Sequence, residues 1–210
     1  MMIMNLPEKT VERLSAYRRI LLDCLAKGKT HIFSHELAAL NHITAVQVRR
    51  DMMLMGFTSM QRKGYDVKEL IGSIGGLIDT EEGLNVAVIG AGNLGRAVTG
   101  YFRGKRSKLN IVATFDVDPD KIDRVIAGVK CFSLDSLESL VQEMNISIAI
   151  LTVPPEHAKK IADRLSETGI LGIMNFTTVP LNMPPHIFLE EYDMITSLEK
   201  VAYYVKYHQN

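Results

Sequence analysis

Hydrophobic and polar positions along this chain follow two successive periods, and the change between them divides it. From Thr10 to Lys27 the apolar residues Val11, Leu14, Tyr17, Leu21, Cys24 and Leu25 recur at helical spacing, and Gly28 stops the run. Ser34 can cap a short second helix that reaches Leu40. Thr44-Ala45-Val46-Gln47 reads as a capping box opening a third helix that ends at Gly56. In that helix Ala45, Val48, Met52 and Met55 share an inward face. Val46, Gln47 and Arg50 point outward, with Arg49 at the border. Phe57 to Val67 is short and turn-like. Lys68 to Gly83 predicts a connecting helix weakened by Gly72, Gly75 and Gly76. A domain boundary is expected near residue 83.

Beyond it, short β-branched runs alternate with helical stretches. The run Asn85 to Ile89 leads directly into Gly90-x-Gly92-x-x-Gly95, after which Leu94, Ala97, Val98, Tyr101 and Phe102 fall at helical spacing. A second run, Ile111 to Phe115, ends at Asp116. Asp118-Pro119 predicts a helix toward Ala127, because proline is tolerated in a first turn. Lys130 to Ser133 follows as a short strand or loop, and Leu134 to Asn145 as a helix. Ile146 to Leu151 reads as a buried parallel strand, followed by Thr152-Val153-Pro154-Pro155 and a helix to Thr168. Ile170 to Asn175 and Ile187 to Leu189 complete the strands. This β–α alternation over residues 84–192 predicts a doubly wound parallel sheet. Residues 193–210 stand apart as a final helix, Met194 to Tyr207, with Met194, Leu198, Val201 and Val205 on one face and Ile195, Ala202 and Tyr203 widening it. That face must cover either its own sheet or another subunit.

Charge is unevenly spread along the chain. The net charge of the 210 residues is zero, yet residues 1–65 carry ten basic side chains against five acidic ones, and the remainder is acidic by the same margin. A basic module suits an anionic partner, nucleic acid included. Two short helices joined by a tight turn, the second beginning with outward Gln47 and Arg50, match a helix-turn-helix. Residues early in such a recognition helix reach base edges while its cations meet phosphates. Arg62 and Lys63 suit a basic wing after it. The alternative is a small helical bundle whose Gln47, Arg49 and Arg50 merely solvate a surface. Cys24 and Cys131 lie far apart without metal-ligand spacing and read as buried thiols of a reducing cytoplasm. Met1 to Met4 is too short for a secretory leader and no apolar run is long enough to span a membrane, so a cytoplasmic protein is expected.

The glycine run carries the chemistry. Gly90 allows a tight turn, Gly92 lets backbone approach a pyrophosphate, and Gly95 lets helix and strand pack closely. The helix beginning at Asn93 and Leu94 offers free N–H groups to the phosphates. Asp116, 21 residues after Gly95, suits the adenosine ribose and disfavours a 2′-phosphate, so NAD rather than NADP is the expected ligand. Val117 follows Asp116, and Thr152, Val153 and Pro154 fall on the same carboxyl edge of the sheet. This is a Rossmann domain.

A dehydrogenase would need an acid or base beside the nicotinamide and a domain to hold substrate. Of the six histidines only His157 lies near the expected cofactor edge, with no obvious partner for clamping a substrate. Tyr101-x-x-x-Lys105 matches the short-chain dehydrogenase pair in spacing but starts six residues after Gly95, far too early. The Rossmann unit leaves no room for a catalytic domain. No catalytic residue and no metal site are expected, and binding without turnover is the better reading.

With these residues in place, the whole chain resembles the Rex family of bacterial redox-sensing transcriptional repressors. The resemblance rests on Gln47-Val48-Arg49-Arg50-Asp51, Gly64-Tyr65-Asp66-Val67, Val88 to Ala97 around the glycines, Phe115 to Lys121, Leu151-Thr152-Val153-Pro154 and Gly172-Ile173-Met174-Asn175-Phe176. It implies a winged-helix (helix-turn-helix) domain at 1–83, a Rossmann NAD(H)-binding domain at 84–192 and a swapped helix at 193–210. It also implies a homodimer on an inverted-repeat DNA operator that NADH releases, with NADH and NAD⁺ as regulatory ligands. The implied DNA-binding residues are Ser34, Thr44, Ala45, Gln47, Arg49, Arg50, Arg62 and Lys63. The family's polar switch maps onto Arg19, Tyr101 and Asp193. Here the family's wing pattern has lost two glycines, Met52-Met53-Leu54-Met55 replaces its Leu-Ser-Tyr-Phe, and Thr177-Thr178 replaces its Ala-Pro. Two further readings therefore stay open: an NAD-binding paralogue with altered or lost DNA recognition, and a small NAD-dependent oxidoreductase.

Overall fold

The computed structural model describes residues 6–57, 63–102 and 108–208. The chain divides into two compact units, Met1–Glu81 and Glu82–Asn210.

The first unit begins with α1 (Glu8–Ala26), which buries Leu14, Tyr17, Leu21 and Cys24 on one stripe. Val11, expected on that stripe, is partly exposed, and Thr10 takes the inward position. β1 (His31–Ile32) pairs antiparallel with β2 (Tyr65–Asp66), bringing the ends of the helix-turn-helix segment together. Between them lie α2 (Ser34–Leu40) and α3 (Ala45–Leu54). Ser34 does not cap α2. Phe33 occupies the cap position, and its backbone N–H donates to the Glu36 carboxylate at 2.8 Å. Only half of the capping box at α3 forms: Thr44 Oγ1 accepts from the Gln47 N–H at 3.2 Å, but the Gln47 amide turns the other way and donates to Asp51 at 3.0 Å. Asp51 is the stronger claim on that amide, because a buried carboxylate left short of donors is costly.

Asp51 is fully buried. It accepts from Arg13 Nε and Nη2, each at 2.7 Å, and from the Tyr17 hydroxyl at 2.7 Å, so α3 is bonded to α1 through one carboxylate. Burial alone would raise its pKa, but hydrogen bonds from Arg13, Tyr17 and Gln47 outweigh that and hold it below the ordinary value. α4 (Val67–Ile78) packs back on α1 with Leu70 and Ile74 buried. It stops before the expected end at Gly83. Asp79 adopts extended backbone there, and its carboxylate is held by Arg18 Nη1 of α1 at 2.8 Å.

The second unit is a seven-stranded sheet in the order β5-β6-β4-β3-β7-β8-β9. Its strands are β3 (Leu84–Ile89), β4 (Leu109–Asp116), β5 (Val125–Ile126), β6 (Val129–Ser133), β7 (Ile146–Leu151), β8 (Gly172–Asn175) and β9 (Phe188–Glu191). All neighbours run parallel except β5 against β6. Alternate residues of β3 feed two cores. Val86 and Val88 meet Val98 and Phe102 of α5 (Asn93–Phe102). Ala87 and Ile89 belong with Leu137 and Val141 of α6 (Leu137–Glu143) and with Ile161 and Leu165 of α7 (Pro155–Ser166). Both faces are therefore covered, as the continuous apolar strands require.

The helix expected from Asp118 toward Ala127 does not form. One turn closes on the Asp118 carbonyl, then Asp123 takes a φ of 60° and its N–H goes to the Cys131 carbonyl at 2.8 Å. β5 follows, joined to β6 by Ala127 and Gly128 at φ 49° and 85°. Two consecutive left-handed residues make the tight connection whose twist suits an antiparallel pair, and that pairing overrides the local proline signal. The stretch from Leu134 likewise starts as a 3₁₀ turn before α6. α8 (Met194–His208) begins beyond β9, and its apolar side chains are exposed, Leu198 at 70 %. Among the described residues no helix is long and apolar enough to cross a membrane.

The Asp51 bonds generate a test. Asp51→Asn should cost about 2 kcal/mol of stability at neutral pH, since it removes charge-assisted bonds without emptying the space. A carboxylate with a depressed folded pKa contributes stability that is fully present above its unfolded value and lost as pH falls through the folded one. The difference between wild type and variant, read by urea unfolding, should be flat from neutral pH down to about 5 and shrink below about 4.

Candidate functional site

At the carboxyl edge of the parallel sheet an open pocket of about 700 Å³ is lined by Gly90, Gly92, Asp116, Val117, Thr152, Val153 and Pro154, among others. Its shape starts at the turn after β3. Gly90 has φ 96°, a conformation that side chains resist, and a Cβ there would sit 2.8 Å from the Thr152 carbonyl oxygen. A Cβ at Gly95 would drive into the Gly90 carbonyl oxygen. Gly92 differs, since a Cβ there would meet nothing within 4 Å. Two glycines are thus demanded by the fold, and the third keeps the pocket wall bare. Asn93 and Leu94 open α5 immediately after it, and their backbone N–H groups lie in its first turn.

Asp116 ends β4 on the pocket wall and is mostly buried. Its Oδ2 accepts from the Ala91 N–H at 2.8 Å and Lys121 Nζ at 3.2 Å, and its Oδ1 from the Asp118 N–H at 3.0 Å. Burial pushes its pKa up, but the two backbone N–H groups and Lys121 pull it below the ordinary value, so the group is anionic at neutral pH. A carboxylate has roughly four acceptor sites, so about one remains for a ligand. The acid has a structural role the sequence did not disclose: it fastens the glycine turn to the end of β4. Thr152 fastens the same turn from the other side, its hydroxyl reaching the Ile89 and Gly90 carbonyls at 3.0 and 2.8 Å.

The pocket also takes in Lys121, Asp118, Leu134, Asp135, His157, Lys160 and Arg164, none of which the glycine spacing points to. Lys121 bridges Asp116 and Asp118 at 3.2 and 3.3 Å, and this follows from the turn that replaces the expected helix. Arg164 is anchored to Glu138 by two bonds of 2.7 and 2.9 Å. His157, in the first turn of α7, lines the same pocket as Asp116. Among the described residues no group of three or more His, Cys, Asp or Glu gathers to hold a metal, and Cys24 and Cys131 are buried free thiols.

In the first unit α3 presents Arg49 and Arg50 to solvent. Arg49 Nη1 donates to Ser34 Oγ at 3.2 Å, tying the first turn of α2 to the middle of α3. Thr44 is the exposed cap of α3 and Ala45 its half-buried first residue, while Lys63 is exposed beyond α3. Gln47, expected to face outward, is half-buried because Asp51 holds its amide. Arg62 lies outside the described residues. Of the three expected switch residues, Arg19 is exposed on α1 and Tyr101 is exposed on α5, edge-on to Phe102. Asp193 caps α8: its carboxylate accepts from the Ile195 and Thr196 N–H groups at 2.8 and 3.2 Å and from the Thr196 hydroxyl. These bonds, the Thr196 side chain's first, hold its pKa below the ordinary value.

A helix-turn-helix unit ahead of a Rossmann unit, with a glycine turn and an acid at the end of the second strand, defines a nucleotide-responsive DNA-binding class. Comparison with known proteins identifies the family. The model of the putative DNA-binding protein N-terminus matches residues 5–52, and that of the CoA binding domain matches residues 81–179. The redox-sensing transcriptional repressor Rex of Anoxybacillus flavithermus is 37% identical over 206 residues, covering 98% of this chain and 97% of its own. That of Bacillus pumilus is 38% identical, covering 97% and 94%. Among solved structures, RSP, a Rex-family repressor, in complex with NAD⁺ and operator DNA superimposes with a TM-score of 0.90 at 31% identity, covering 97% of this chain and 94% of its own. RSP in complex with NADH gives 0.86 at 30%, covering 98% and 96%. The chain belongs to the Rex family.

The glycine geometry separates fold from ligand. Gly95→Ala should cost about 3 kcal/mol, because its Cβ overpacks against backbone that cannot yield. Gly92→Ala should leave the thermal midpoint within about 2 °C of wild type, since its Cβ enters open space. Thermal unfolding followed by circular dichroism checks both.

Proposed function

We propose that this chain is a DNA-binding transcriptional repressor that senses the NADH/NAD⁺ ratio, NADH binding releasing the operator. The observation that carries the reading is the bare Gly92 wall beside an anionic Asp116, in the same chain as an exposed Arg49/Arg50 helix face. Gly90, Gly92, Asn93, Leu94 and Gly95 form the phosphate cradle, through backbone N–H groups at the start of α5. Asp116, with Val117 beside it, takes the adenosine ribose, and Thr152, Val153 and Pro154 form the floor from the loop that follows β7. When bound, the dinucleotide acts as a regulatory ligand, and the protein performs no catalysis on it. Ser34, Thr44, Ala45, Arg49, Arg50, Arg62 and Lys63 make the DNA contacts, the cations chiefly to phosphates. Gln47 supports that surface from behind.

The domains are 1–83 for DNA, 84–192 for the nucleotide and 193–210 for a helix given to a second copy. An exposed apolar helix such as α8 is costly in water, and a second copy covers it without new sequence. The homodimer then matches a two-fold inverted-repeat operator. Asp193 exchanges a bond with Tyr101 for an ion pair with Arg19 between the two states. Such a charge-assisted pair supplies part of the differential energy by which a ligand selects one state. The protein works in the cytoplasm.

The direct test is fluorescence anisotropy on a labelled inverted-repeat duplex at fixed salt, apo, with NAD⁺ and with NADH. Specific binding that NADH weakens is expected; equal affinity for a scrambled duplex would overturn the proposal. Gly92→Ala should weaken NADH binding roughly tenfold, about 1.4 kcal/mol, by calorimetry. Deleting residues 194–210 should convert a dimer to a monomer in light scattering.

A further inference from the structure

The solvent-facing stripe of α3 is composed unusually for a DNA-reading helix. Val46, Arg49, Arg50 and Met53 stand at i, i+3, i+4 and i+7, so they share one face. All four are exposed, Val46 at 62 % and Met53 at 76 %. The residue best suited to a hydrogen-bonded base contact, Gln47, is absent from this stripe. A bidentate Gln–adenine contact needs the whole amide presented outward. Here the Gln47 amide donates to Asp51, a carboxylate already fixed by Arg13 and Tyr17 and fully shielded from solvent. Releasing Gln47 would strip one of four donors from a buried anion.

The first turn of a recognition helix enters the groove deepest. What this helix offers there is the branched apolar head of Val46, the second residue of α3. In the major groove the one apolar feature of any base is the 5-methyl group of thymine. A β-branched side chain has essentially one rotamer in a helix, so Val46 presents its methyls without ordering cost. Arg49 is tethered toward Ser34 by its hydrogen bond, whereas Val46 has no polar duty. From this geometry, and resting on the operator-binding reading above, we infer that Val46 is a specificity-determining residue that recognises a thymine in each half-site through its methyl group, while Gln47 is a positioning residue that reads no base.

Uracil in place of thymine deletes only that methyl, and this makes the test clean. Full-length protein would first select its preferred duplex from a random-sequence pool. Each thymine pair of that duplex would then be replaced symmetrically by uracil and binding read by anisotropy at fixed salt. At one position uracil should weaken wild-type binding about fourfold per half-site, the burial worth of one methyl group. Val46→Ala should bind more weakly and lose that penalty, with an unchanged melting temperature because the side chain is exposed. Gln47→Ala should weaken every duplex by a similar factor without relaxing preference at any base pair. An enriched duplex whose thymines all tolerate uracil, or a Val46→Ala variant with the full uracil penalty, overturns the Val46 assignment alone. Relaxed preference at one base pair in Gln47→Ala overturns the Gln47 assignment. No enrichment over the random pool overturns both, and the operator reading with them.

Discussion

The contact between Gly95 and the Gly90 carbonyl is the constraint around which the second unit is arranged. Helix α5 can start where it does only if its third residue carries no side chain, because the space a Cβ needs is filled by backbone. Once the turn is that tight, β3 passes straight into the first turn of α5, whose leading N–H groups have no partner within the helix. Asp116 and Thr152 then grip the turn from the two strands flanking β3. The pocket is a consequence of this tightness. Its wall is backbone at Gly92, and its anionic side is a carboxylate whose charge two N–H groups and a lysine maintain.

The first unit is held by a different physics, a buried carboxylate that four donor groups converge on. Asp51 bonds α3 to α1 and draws the Gln47 amide inward, and in doing so it decides which side chains α3 shows to solvent. A buried ion pair is weak evidence for stability in itself, but as a register device it is well suited. A recognition helix displaced by a fraction of a turn would offer a different face. Arg18 and Asp79 make a second, partly exposed link between α1 and the end of α4.

Much of this was legible in one dimension. Strand, glycine turn and helix follow one another with local signals that agree, and a parallel sheet buried on both faces leaves a continuous apolar run in Val86 to Ile89, and one broken only by Ser147 in Ile146 to Leu151, that need no partner to be recognised. Gly90, Gly92, Asp116 and Thr152 were placed on one sheet edge by topology alone, since the strands of a doubly wound sheet all end there. The helix-turn-helix was visible in the spacing of Val48 and Met52 and in the threonine that caps α3.

The rest was decided in three dimensions, wherever a distant group outbid a local preference. The proline at 119 called for a helix, but pairing between β5 and β6 claimed the segment. The capping box at Thr44 called for a glutamine turned back on the backbone, but a carboxylate buried against Arg13, 38 residues away, claimed its amide. The position of Asp116 after the second strand points to a ligand's acceptor, but its bond to the Ala91 N–H, a structural staple, exists only once the sheet is assembled. Sequence determines which segments have to be helix or strand and which chemistry each edge can carry. Tertiary structure decides which polar groups are left free to use it, because burial makes every unmade hydrogen bond expensive and so assigns partners before any ligand arrives.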